Sequence, residues 1–298
     1  MMNINRRDFL GRSLAFGAAA ALPLEAGCAE NNAPIRRATD VIEIGPAKIK
    51  VSRMGVGTGT YGAGHDSNQV RALGVNGVAD MFCAAYDKGI FFWDTADAYG
   101  THDAVKAALK KVPRDKVTIL TKTDAWTADK TKEDIDRFLK ELGTDYIDIL
   151  LLHTRWSPTW HEDDKGSMEV MAAAKEKKIL RAVGISSHSV AATQVASKHP
   201  WLDVFMARLN PTGDRMDDDI NGNPEIVATA VKQAKDNGKG TIGIKVLGEG
   251  NLVGGQSHND ALRYALTKGA LQCFSIGCES INDVADNIAR IEKLKVPA

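Results

Sequence analysis

From Val41 onward two hydrophobic periods alternate along the chain. "VIEIG" (41–45) and "IKVS" (49–52) switch between apolar and polar positions across a short turn, the pattern of a small β-hairpin. Short apolar runs then recur at even spacing: Met54–Thr58, Phe91–Asp94, Val117–Thr121, Ile147–Leu152, Ala182–Ile185, Val204–Arg208, Thr241–Val246 and Gln272–Ile276. Each is short enough, and bounded well enough by polar residues, to read as a buried strand. Between them apolar residues repeat at helical spacing. Val75, Val78, Phe82 and Ala85 share one face, and Ile135, Phe138, Leu139 and Leu142 share another. The second of these helices opens with Thr131 and Asp134 at capping-box spacing and ends at Gly143, which tolerates positive φ. Further helices are predicted over 164–177, 190–198, 225–237, 258–268 and 282–294.

A strand–helix alternation repeated in this way predicts an α/β fold, a (β/α)8 TIM barrel. It forms a single domain over 41–298 preceded by its N-terminal β-hairpin, and residues 30–40 ("ENNAPIRRATD") read as a linker. The competitor is an open doubly wound sheet, which would announce a nucleotide site with G-x-G-x-x-G after its first strand. "GVGTGTYGAG" (55–64) is glycine-rich but does not keep that spacing. In a barrel, chemistry gathers where strands end at the C-terminal face. There the sequence places Asp94 and Tyr99 after the second strand, Lys122 at the end of the third and His153 at the end of the fourth. Singly, each has a plain structural explanation as a cap, a packed ring or a solvated charge. Together they put an acid, a phenol, an amine and an imidazole at one mouth.

Composition narrows the partners. Lys+Arg and Asp+Glu both total 38, so the formal charge is zero, and nothing favours nucleic acid as a partner. Cys28, Cys83, Cys273 and Cys278 form no CxxC pair and no histidine cluster completes a zinc set, so no metal is expected. The N-terminus differs from all that follows. "NRRDFLGRSLAFGAAAALPLEAGCA" joins paired arginines to a mild apolar stretch too short for a membrane span, which needs about 20 residues. No integral membrane span is therefore expected in the mature chain. Arg6-Arg7 followed by Phe9-Leu10 resembles a twin-arginine signal over 1–29, with the twin-arginine export machinery as partner and a periplasmic location implied. "EAGC" half-resembles a lipoprotein box at Cys28, with Glu25 where an aliphatic residue belongs.

The segments "FFWDTADAYG", "ILTKTD" and "DILLLHTRW", in that order and spacing, resemble the aldo-keto reductase superfamily from about Val41 to the C-terminus. The resemblance implies a catalytic tetrad of Asp94, Tyr99, Lys122 and His153. Hydride transfer to a carbonyl leaves an alkoxide that needs a proton, and Tyr99 would donate it. An ammonium at Lys122 would lower the phenol pKa, a carboxylate at Asp94 would hold that lysine, and His153 would orient the carbonyl. The substrate would be an aldehyde, ketone or sugar carbonyl, or the corresponding alcohol in reverse.

The family binds NAD(H) or NADP(H) across the barrel mouth. "AVGISSHS" resembles the segment that holds the nicotinamide carboxamide, with Ser186 matching and Ser187 in place of asparagine. "GIKVLGEGNL" resembles the pyrophosphate loop, with Lys245, Leu247, Gly248, Gly250 and Leu252 as contacts. Met206 stands where the family often has glutamine, leaving Arg208 and Asn210 as polar candidates at that strand end. In "IGCESINDVADNIARI", Ser280 and Asn287 match the adenosine end, and Asp283 replaces the arginine expected for a 2′-phosphate, which leans toward NAD(H). The plainer reading of Asp283 is an acid complementing a helix N-terminus. Trp126, Trp156 and Trp160 follow the third and fourth strands as candidate substrate walls. The chain ends soon after its last predicted helix, which implies a more open site than in relatives with a long C-terminal loop. The altered nicotinamide contacts also admit an exported dinucleotide-binding sensor or scaffold of the same fold, with negligible turnover.

Overall fold

The computed structural model describes residues 34–216 and 223–298. Residues 1–29, expected from the sequence to be an export signal, with Cys28 and the first residues of the expected linker, lie outside the described residues. The strands are β1 (Val41–Ile44), β2 (Ile49–Ser52), β3 (Met54–Gly57), β4 (Phe92–Asp94), β5 (Thr118–Thr123), β6 (Ile147–Arg155), β7 (Leu180–Ser187), β8 (Val204–Arg208), β9 (Gly240–Ile244) and β10 (Cys273–Gly277). Strands β3 to β10 close a parallel barrel in chain order, with β10 completing the ring against β3. Helices α1 (Asn68–Asp87), α2 (His102–Ala108), α3 (Ala128–Leu142), α4 (Trp160–Asp163), α5 (Lys165–Glu176), α6 (Val190–Ala196), α7 (Pro224–Asp236), α8 (Gly255–Leu266) and α9 (Ile281–Lys293) fill the connections.

The two cores follow from the two-residue period of a strand. In β6, Ile147, Leu150 and Leu152 join the large outer cluster, where helices cover the barrel. Ile149 and Leu151 join the inner cluster with Phe92, Leu120, Ala182, Val204, Met206, Ile242 and Cys273. Antiparallel β1 and β2, paired from Val41 with Ser52 to Ile44 with Ile49, add Ile44, Ile49 and Val51 to that inner cluster. Phe92 and Val204 begin their strands, so the hairpin plugs the N-terminal end of the barrel and leaves the C-terminal end open.

Two helix expectations need correction. Helix α1 is broken at Gly74, whose φ of 63° and ψ of 176° are not helical, so Val75 is exposed while Val78, Phe82 and Ala85 are buried. Helix α3 starts a turn early. Thr127 caps it by accepting from the Lys130 N–H, and Thr131 and Asp134 are buried inside it. Asp134 accepts a hydrogen bond from Thr123 at the end of β5 (2.7 Å), so tertiary contact and not capping explains it. Gly143 does end α3, at φ 67°.

Candidate functional site at the open end of the barrel

The same alternation builds the mouth. Two residues beyond inward Phe92, Leu120 and Leu151 stand Asp94, Lys122 and His153, all essentially buried. Counting on in β7 and β8 brings Ser186 and Arg208 to the same level. Lys122 donates to Asp94 Oδ1 (2.5 Å) and to the Thr95 carbonyl (2.9 Å), and its ammonium lies 4.7 Å from the centre of the Tyr99 ring. The Tyr99 hydroxyl is 3.4 Å from His153 Nε2. The four residues singled out in the sequence thus form one contiguous cluster.

Tyr99 reaches it from a short helical turn, Asp97–Tyr99, held in two ways. Arg137 of α3 grips both carboxylate oxygens of Asp97 at 2.7 Å. Gly59 and Gly62 face the ring so closely that an added Cβ would come within 2.3 and 2.4 Å of it. Trp93 faces outward and stacks on Phe82 at 4.7 Å. Arg137 also pairs with Glu141, whose carboxylate accepts from His102 Nδ1 across 2.8 Å. Asp97, His102 and Glu141 lie close enough to suggest a cation site, but the Arg137 guanidinium already supplies the positive charge there.

Burial governs the electrostatics of the cluster. Burial pushes the Tyr99 phenol above its usual 10, and the nearby Lys122 ammonium opposes this without reversing it. Lys122 does act to lower the phenol pKa, but its charge is shared with Asp94, and the loss of phenolate hydration on burial is the larger effect. Burial alone would lower the Lys122 pKa, but Asp94 and Tyr99 together hold it above its ordinary value. Burial also lowers His153 below 6.5, with Asp124 opposing, so its imidazole is neutral at neutral pH. Asp124 Oδ1 approaches His153 Nδ1 to 2.9 Å without forming an aligned hydrogen bond to it.

A cleft of about 520 Å³ runs from Asp94 and Tyr99 past Ile244–Leu247 and Gly250 to Asp283 and Asn287. Lys245, Leu247 and Gly250 are among its lining residues, beside Gly248 and Leu252 in the same loop and Ser280 at the start of α9. Lys245 pairs with Glu249 and burial depresses its pKa. Asn287 is fixed by His258 (2.8 Å) and by the Asp283 carbonyl (2.8 Å). Ser280 caps α9 by accepting from the Asp283 N–H (3.1 Å), while Asp283 accepts from the Glu279 N–H (2.9 Å). Ser186 Oγ is buried with no hydrogen-bond partner among the described residues, as a group awaiting a ligand would be.

Three sequence assignments fall elsewhere. Ser187 lies one step from inward Ser186, turns outward and bonds Thr193 of α6 (2.6 Å), so it does not face the mouth. Trp160 is fully buried against His199 and Trp201 and walls no pocket, whereas Trp126 and Trp156 are exposed. Met206 is part of the inner apolar cluster, and Asn210 is spent on its own loop and on the Lys245 carbonyl (2.9 Å). Sequence reasoning missed Asp124 and His188, the latter stacked edge-on to His153 and Trp156. Each lies two residues past an inward side chain, Lys122 or Ser186, so carrying the count one step beyond the strand finds them.

The profile of the aldo/keto reductase family matches residues 53–296, and the chain belongs to that family. It is 26% identical over 202 residues to the NADH-specific methylglyoxal reductase of Escherichia coli, covering 60% of this chain and 61% of that protein. It is 30% identical over 156 residues to the NAD/NADP-dependent indole-3-acetaldehyde reductase of Schizosaccharomyces pombe, covering 50% and 51%. The chain thus spans between half and two thirds of these relatives' length. Among solved structures, an aldo-keto reductase from Bacillus halodurans in its holo form superposes with a TM-score of 0.66 at 20% identity, over 87% of this chain and 97% of that one. A Bombyx mori aldo-keto reductase in complex with NADP gives 0.62 at 18% identity, over 86% and 92%. Among the described residues no helix is long and apolar enough to cross a membrane.

Proposed function

We propose that the chain is a nicotinamide-dependent oxidoreductase that reduces a small aldehyde, ketone or sugar carbonyl, or oxidises the corresponding alcohol. One observation carries this reading: a buried cluster of phenol, ammonium, carboxylate and imidazole, Tyr99, Lys122, Asp94 and His153, opens through Asp94 and Tyr99 onto a cleft of about 520 Å³. The backbone around Leu247–Gly250 and Asn287 at the far end of the cleft fit such a group, and the buried Ser186 hydroxyl, which has no hydrogen-bond partner among the described residues, would meet its nicotinamide end. Bound there, it supplies or accepts the hydride. Tyr99, kept protonated by burial, gives its proton to the oxygen that becomes an alkoxide as the carbonyl carbon is reduced. Lys122 places positive charge beside the phenolate left behind, and Asp94 keeps that lysine charged and in place. His153, neutral, orients the carbonyl oxygen with an N–H.

Asp283, Glu279 and Asp286 all face the far end of the cleft. Arg290 is tied to Asp286 (2.6 Å), and three carboxylates there disfavour a 2′-phosphate, which supports NAD(H) over NADP(H). Residues 1–29 are read as an export signal on their paired arginines, and N-terminal sequencing of the chain recovered from the periplasm decides that reading.

The test is oxidation of NADH and of NADPH with methylglyoxal, indole-3-acetaldehyde and a panel of sugars. Turnover is expected with NADH preferred, and Tyr99→Phe is expected to lower kcat by about 10²-fold or more. Full turnover by Tyr99→Phe removes Tyr99 as the donor. Dinucleotide binding with no turnover on any carbonyl favours the sensor or scaffold instead.

A further inference from the structure

His153 occupies an unusual stretch of backbone. The register of β6 against β7 shifts between Leu152 and Arg155, so a bulge interrupts the ladder where the imidazole enters the mouth. Inside the bulge Thr154 has φ 53°, a left-handed conformation that a β-branched residue adopts only when its surroundings impose it. What imposes it is the next side chain. Arg155 is fully buried, and its guanidinium donates to the His153 carbonyl (2.6 Å) and to the Ala125 carbonyl (2.5 Å). The same group makes a two-pronged pair with Asp164 at 2.7 and 2.8 Å, at the junction of α4 and α5, where Asp164 is also fully buried. On its outer side the guanidinium lies 3.8 Å from the centre of the exposed Trp126 ring.

One planar cation therefore touches the backbone of His153, the loop after β5 and the exposed ring of Trp126. A lysine cannot do this, because a point charge lacks the fixed fork that serves several acceptors at once. A salt bridge that only stabilised the barrel would need neither the bulge carbonyl nor the stacked ring.

We propose that Arg155, anchored by Asp164, is a positioning residue that sets His153 in its bulge and holds Trp126 as a fixed wall, coupling carbonyl orientation to substrate seating. The inference rests on the oxidoreductase reading for its kinetic arm and on geometry alone for its spectroscopic arm.

The experiment compares wild type with Arg155→Lys and Asp164→Asn, with rates counted per dinucleotide-binding site so that unfolded chain does not contribute. Both variants are expected to lose about tenfold to a hundredfold in kcat, with a raised carbonyl KM and dinucleotide affinity held within about twofold. Full kcat and KM per binding site in both variants, whatever their melting temperatures, overturns the proposal. Should either fail to fold because a buried charge is left unpaired, the double variant Arg155→Met/Asp164→Leu removes both charges together. It is expected to fold and to show the same kinetic loss. The second arm needs no turnover: the imidazole resonances of His153 are followed by NMR through a pH titration. A displaced His153 titration in the variants, with the rest of the spectrum preserved, supports positioning, and an unchanged one overturns it. If the wild type itself turns over no carbonyl, the functional reading fails while this second arm still decides the role of Arg155.

Discussion

Tyr99 and His153 were identified in the sequence by residue type, but their working states are set by burial. The phenol sits above its ordinary value of 10 and the imidazole below its ordinary value of 6.5, each because the charged form is stripped of water. Between those limits the Tyr99 phenol stays protonated and the His153 imidazole stays neutral. Carbonyl reduction is therefore expected to hold a constant kcat from about pH 6.5 to about pH 10, as read from a pH–rate profile. An alkaline limb near pH 8 would contradict this, since it would mean that Lys122 outweighs burial. Asp97 shows the opposite balance of sequence and structure. Nothing in "DTADAYG" assigns it a task, yet Arg137, forty residues on, grips it and so steadies the turn that carries Tyr99. Burial falls on groups that are distant in sequence, and a local pattern cannot register it.

Strands were legible because their inward and outward residues bury against different cores, which forces a clean two-residue period. The close approaches between strands were not. Gly184 in β7 faces β8 so tightly that an added Cβ would lie 1.8 Å from the Val204 carbonyl oxygen. That neighbour is backbone and cannot swing aside. Gly184→Ala is accordingly expected to destabilise the barrel by about 3 kcal/mol or more in a chemical denaturation series. Gly143→Ala, where the cost is one left-handed residue at φ 67°, is expected to lose about 1–2 kcal/mol. The end of β6 escaped the sequence for a related reason. A bulge leaves the residue types unchanged and alters only which carbonyl is free, and here that carbonyl is taken by Arg155. The start of α3 was misplaced because Thr131 and Asp134 satisfy capping-box spacing while packing against Ser167 and Thr123.

Across the described molecule, several histidines are buried and held below their ordinary 6.5: His153, His188 and His258 by burial first, and the half-buried His199 likewise. The sign of the linkage is the same for each. Below pH 6.5 the unfolded chain takes up protons that the folded chain refuses, so stability rises with pH in that window and falls as acid is added. Glu141, lowered to about 2 by His102 first and by Arg137, adds a loss of the same sign below its ordinary 4.5. The melting temperature is expected to be flat near pH 7 to 8 and to drop steadily from about pH 6.5 toward pH 4 by scanning calorimetry. A melting temperature unchanged between pH 7 and pH 5 would show that these imidazoles protonate without cost in the fold.

The sequence by itself determined the barrel, its hairpin and the four residues at the mouth, because periodic burial and residue chemistry are both written locally. Only the tertiary structure decided that Ser187 and Trp160 turn away from the mouth while Asp124 and His188 join it, and that Arg155 braces the site. Those outcomes depend on which side chain is desolvated against which distant neighbour, and the energy of a buried group belongs to the contact and not to either residue alone.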